Sequence, residues 1–189
     1  MLSRVGPACA AFITTLQRGD RTESDAEPWP RTERSAIAAR LLTHVENWLA
    51  AIEAQPERIR VGIKEIRPER WADAYLYAYA LRNLLGACRE ASKLDRSGSI
   101  RSAADEFEAA IPGVVPVRNA LDKFHKEERV LGGLVVWAGF DGDADLISLT
   151  LHVEWKNKKY TIDVEAATQE ARRLAGRCRV ELVRLAQSS

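Results

Sequence analysis

The feature that most constrains this chain is a change of periodicity at Gly132-Gly133. Upstream, apolar residues recur at three- and four-residue steps, as on one face of a helix. Downstream, they alternate with polar residues at period two, as on one face of a strand. Helices gathered first and strands gathered after them point to an α+β fold rather than to a parallel sheet wound with crossover helices.

The helical half divides at its turn residues. A first helix is expected over about 32–54, with Ala36, Ala39, Leu42, Val45, Leu49 and Ile52 in step and Pro56 marking its end. A second starts near Pro68, a favourable first-turn residue, and runs to about Ser92. It carries Trp71, Ala74, Tyr75, Ala78, Leu81, Leu85 and Cys88, and the four-residue step Trp71, Tyr75, Tyr79 reads as an aromatic packing ridge against the first helix. Asp95 to Ser99 is a turn around Gly98. A short helix over about 100–110 and a fourth over about 116–131 follow.

Three strands are expected beyond the glycine pair, at 134–140, 146–155 and 160–164, with turns at Asp141–Asp145 and at Asn157. Leu149, Leu151 and Val153 share one face with Trp155. His152 falls on the other, with Thr150 and Glu154, and is expected to be exposed. A closing helix runs over about 165–186. The whole is read as a mainly helical, four-helix core, then a three-stranded antiparallel meander, then a C-terminal helix. Such a meander is marginal alone and needs cover from the helices or from a second copy of the chain. That need, with helices apolar on more than one face, leads to the expectation of a homodimer. Residues 1–31, polar and turn-rich from Gly19 onward, are read as a flexible N-terminal arm, and 32–189 as one domain.

Composition excludes more than it identifies. Twenty-eight basic residues face 27 acidic ones, so no global charge draws the chain to nucleic acid or to an anionic membrane. No apolar run approaches the ~18 residues of a membrane span. The apolar stretch after Arg4 is broken by Gly6, Pro7, Thr14 and Thr15, so the chain is expected to be soluble and cytoplasmic. Cys9, Cys88 and Cys178 lie far apart and without a Cys-x-x-Cys pair, which predicts neither a disulfide framework nor a structural metal. Cys88 and Cys178 sit in apolar helical patterns and read as small buried hydrophobes. No cofactor motif is present. Asp141-Gly142-Asp143-Ala144-Asp145 starts like a calcium loop, but the sixth and twelfth positions, Leu146 and His152, are wrong for one.

The segment richest in chemistry is Arg118-Asn119-Ala120-Leu121-Asp122-Lys123-Phe124-His125. Residues seven apart on a helix return to within about 20° of each other, so Arg118 and His125 face the same way, and Asp122 and Arg129 join their stripe. Arginine holds a phosphate through paired hydrogen bonds, and histidine moves a proton near neutral pH. Asp122 or Asn119 could orient His125 or a ribose hydroxyl.

Arginine, a polar residue and a histidine after five more positions resemble the signature of HEPN domains, and Arg118, Asn119 and His125 match it residue by residue. The resemblance covers roughly residues 32–131, its specific part about eight residues. HEPN domains are helical, many are metal-independent endoribonucleases, and two copies build a composite RNA-cleaving site at a dimer interface. The resemblance therefore implies a ribonuclease, or a non-catalytic relative, in a bacterial regulatory or defence system, with Arg118, His125, Asn119 and Asp122 at the site. The three strands depart from a purely helical family pattern. The alternative is a protein-interaction module, antitoxin-like or a scaffold, in which the Arg–Asp–His stripe is a solvated helix flank.

Overall fold

The computed structural model describes residues 31–65, 70–117, 135–141, 148–155 and 157–187. All lie in one unit, Arg31–Ser189. Helices α1 (Arg31–Lys64), α2 (Arg70–Ser92) and α3 (Ser99–Ala110) precede strands β1 (Val135–Asp141), β2 (Ser148–Trp155) and β3 (Lys158–Asp163), and helix α4 (Val164–Ala186) follows. The strands form one antiparallel sheet in the order β1-β2-β3. The α+β class, the meander and the closing helix are therefore as expected. Of the fourth expected helix only its start, at 114–117, is described.

The first helix departs from expectation. It passes through Pro56 and ends at Lys64. Proline has no N–H to give the carbonyl of Ile52, a cost of roughly 3 kcal/mol in a helix interior. The continuation offsets it by burying Ile59, whose full burial contributes about 1.5–3 kcal/mol, and by pairing Arg60 with Glu165. The longer helix also shifts the buried face. Ala38, Val45, Ile52 and Ile59 are all fully buried at seven-residue steps, whereas Ala36 and Ala39 are exposed.

That stripe meets a matching one on α4, where Val164, Ala171, Cys178 and Leu185 are buried, again seven apart. A seven-residue repeat on both partners is the pattern of a coiled-coil seam. Ion pairs flank it at the same interval. Glu46 pairs with Arg179 and Glu53 with Arg172, each at 2.6 Å, and Arg60 pairs with Glu165. Seven residues up α1 is seven residues down α4, so the helices run antiparallel in a single register. The Arg179 guanidinium bonded to Glu46 holds that carboxyl below its usual range. These charges are substantially exposed, so they specify register more than stability. A double-mutant cycle on Glu46 and Arg179 is expected to give a coupling of about 0.2–1 kcal/mol that shrinks with added salt. A coupling of zero at low salt would show that the pair does not form in solution.

Helix α2 docks beside α4 through Tyr77, which is fully buried. Its hydroxyl donates to the Val164 carbonyl at 2.9 Å and lies 2.9 Å from Thr168 Oγ1, which itself donates to the same carbonyl. Burial pushes the phenol pKa up, so the ring stays neutral. Tyr79, though 38% exposed, meets Trp48 of α1 edge to face at 5.7 Å, and Tyr75 is partly buried against the core; the side chain of Trp71, the third member of the expected ridge, lies outside the described residues.

Two acidic residues set the helix starts. Asp163 ends β3 and caps α4, its side chain accepting from the Ala166 N–H at 2.8 Å. Helix α3 is preceded by Gly98 at φ 74°, which offers no side-chain cap. Asp95 supplies one from further upstream, accepting from the Ile100 N–H at 2.8 Å and from the Ser97 N–H and hydroxyl. Burial raises the Asp95 pKa, but the Ser97 and Ile100 bonds outweigh it and the net shift is downward. A carboxyl depressed in the folded state adds stability above its unfolded pKa, about 3.9, and loses it as pH falls through the folded value. Asp95→Asn is expected to cost about 0.5–2 kcal/mol at pH 7 and to flatten the fall in stability below pH ~4. Urea melts at several pH values check this, and an unchanged acid limb would refute it.

One face of the sheet is core. Val136, Leu149, Leu151, Val153 and Ile162 are buried, with Val136 opposite Val153 and Leu151 opposite both Ala138 and Ile162. β1 packs on α2, and β2 and β3 pack on α4. Asn157 makes the β2–β3 turn with φ 62°, a conformation asparagine tolerates.

Candidate functional site

The chain approaches the Arg118 segment along the buried side of the sheet. Ile111 closes α3, its N–H bonded to the Phe107 carbonyl at 3.0 Å. Ile111, Gly113, Val114, Pro116 and Val117 are all buried. Gly113 passes so near β3 that an added Cβ would stand 2.8 Å from Ile162 side-chain carbons and 3.3 Å from Tyr160 Cβ. A residue with a side chain fits there only if the Ile162 side chain shifts. Gly113→Ala is expected to destabilise by about 1–3 kcal/mol through overpacking, read from a shifted denaturation midpoint. An unchanged midpoint would mean that the approach is looser.

Arg118, Asn119, Asp122, His125 and Arg129 lie outside the described residues, as does the turn at 142–147. Val117, the last described residue before the motif, is 2% exposed.

Within the described part, histidine chemistry falls on the outer face of the sheet. Trp137 and His152 are directly opposed on β1 and β2. Their rings stack at 5.1 Å, 15° apart, and His152 Nε2 lies 3.2 Å from Asp141 Oδ2. The His152 side chain is 24% exposed, less open than the strand pattern alone implies, because Trp137 covers one face of the ring. This is a cross-strand pair, and its contribution to the sheet is about 0.2–1 kcal/mol. His44 is exposed on α1.

A shallow groove of about 530 Å³ lies between α3 and α4. Phe107 and Leu174 form its floor, and Glu106, Arg173, Arg177 and Val180 are on its walls. Arg177 donates to Glu106 at 2.6 Å and to the Ser99 carbonyl at 3.4 Å, so the rim charges neutralise each other. Among the described residues no three His, Cys, Asp or Glu side chains come together to hold a metal ion. Nor is any described helix long and apolar enough to cross a membrane.

The seven-residue seam and the Tyr77–Thr168–Val164 cluster were not read from the sequence. The seam had a signal, since Ala38, Val45, Ile52 and Ile59 repeat strictly, but Pro56 masked it. The Tyr77 cluster had none, because its partners lie 87 and 91 residues away.

No family model, no curated protein and no solved structure matches this chain. The class of the protein rests on the fold itself, a mainly helical α+β domain with a three-stranded antiparallel meander and a closing C-terminal helix.

Proposed function

We propose that the chain is a HEPN-like domain that cleaves RNA without a metal, using Arg118 and His125. The observation that carries the reading is the Arg118-Asn119 and His125 spacing. The burial of Ile111, Gly113, Val114, Pro116 and Val117 just before it supports the reading, since a reactive arginine needs a firmly held backbone behind it. The reaction is attack of a ribose 2′-hydroxyl on the adjacent phosphate. His125 gives or takes the proton, Arg118 stabilises charge on the phosphate, and Asn119 and Asp122 position them. The working unit is a homodimer whose two motifs share one groove. The test is cleavage of a labelled single-stranded RNA in the presence of chelator, with His125→Ala and Arg118→Ala as controls.

A specific observation favours a second reading, a protein-interaction module without chemistry. Leu76 and Tyr79, 48% and 38% exposed, lie three residues apart on α2, and Tyr79 is braced by Trp48. Leu76→Glu is expected to leave the fold intact and to disrupt association through this face. Sedimentation at tens of micromolar reads it, an order-of-magnitude range for an ordinary interface. RNA cleavage abolished by His125→Ala would exclude this second reading.

A further inference from the structure

The two described cysteines are brought together by packing that the Tyr77 contact makes explicit. Tyr77 ties α2 to the first turn of α4. Cys88 lies eleven residues further along α2, and Cys178 ten beyond Thr168 along α4, advances of roughly 16 and 15 Å in the same direction. Helix α1 is antiparallel to both, through Trp48–Tyr79 and Arg58–Asp73 on α2 and Glu46–Arg179 and Glu53–Arg172 on α4, so α2 and α4 are parallel and the two thiols sit at about the same level. Both residues are fully buried and free, and the Cys178 thiol is near enough to push the Cys88 pKa up. Alanines line the core side of both helices, Ala74 and Ala78 on α2 and Ala171 and Ala175 on α4, all at most 1% exposed. Small side chains bring helix axes together, and a disulfide requires Cα atoms about 4.4–6.8 Å apart.

We propose that Cys88 and Cys178 are a latent disulfide that a hydroperoxide closes within one chain, locking α2 onto α4. One thiol loses its proton, and the thiolate attacks a peroxide oxygen. The O–O bond breaks, giving a sulfenic acid and hydroxide, which takes up the proton as water. The second thiol attacks the sulfenic sulfur, forms the S–S bond and releases a second water. Two thiols and one hydrogen peroxide thus yield one disulfide and two waters. The neighbouring Cys178 thiol and burial push the Cys88 pKa up, so the thiolate is scarce while the helices stay packed and the reaction reports their opening. The link closes a loop of about 90 residues, a length at which a crosslink constrains the unfolded chain strongly.

The test uses the full chain with Cys9→Ser, leaving only these two thiols. After incubation with hydrogen peroxide and quenching, the protein is unfolded, alkylated and mapped. The expected product is monomeric, has lost two hydrogens, contains a Cys88–Cys178 peptide pair and melts roughly 5–15 °C higher than the reduced form. Adding Cys178→Ala should abolish both the link and the shift. Both thiols still open to alkylation, oxidation to sulfinic acid without a link, a link between chains, or a linked product that melts lower would each overturn the proposal. RNA cleavage is not a readout, so the result is independent of the ribonuclease reading.

Discussion

His125→Ala is expected to slow RNA cleavage by about two to four orders of magnitude while leaving the melting temperature unchanged. The magnitude follows from the role assigned to the side chain. A histidine titrates near neutral pH, so it can give and take a proton in one reaction cycle, and alanine can do neither. Arg118→Ala is expected to fall in the same range, because two fixed hydrogen bonds to a phosphate carry charge that builds in the transition state. Arg118→Lys keeps the charge but loses the paired geometry, so partial activity is the expected result. Chelator should leave wild-type cleavage intact. Three results would end the reading: no cleavage by the wild-type chain, cleavage that survives His125→Ala, or cleavage that chelator removes.

Ile52→Ala is expected to lower stability by about 2–5 kcal/mol, and Ile59→Ala by a similar amount. Both side chains are fully buried in the α1–α4 seam, so each truncation loses the transferred carbon atoms and leaves a cavity. Ala39→Ser, on the exposed side of the same helix, should stay within about 0.5 kcal/mol. Chemical denaturation with an unchanged slope is the measurement. The pair of isoleucines tests the helix beyond Pro56 directly. If Ile52→Ala is costly and Ile59→Ala is neutral, the helix stops at the proline and the register with α4 extends no further than Glu53 and Arg172.

Much of the secondary structure was legible. Leu149, Leu151 and Val153 alternate with polar residues, and they do line the buried face of β2. The turns at Gly98 and Asn157 fall where they were expected, because positive φ favours those two residue types. The end of α1 was misread because a proline rule describes local cost alone. The motif at Arg118, Asn119, Asp122 and His125 was visible only as spacing and residue chemistry.

What the sequence by itself determined is therefore the local part: which segments are helix or strand, where most of them turn, and which strand face is apolar. Those follow from steric preference and from period, which act over a few residues. What only the tertiary structure decided is which faces meet. Glu46, Glu53 and Arg60 find Arg179, Arg172 and Glu165 across more than one hundred residues of chain. Gly113 is required by the side chain of Ile162. Pro56 remains helical because Ile59 has a core to enter. Each depends on burial shared between distant segments, a free energy that exists only once both partners are in place.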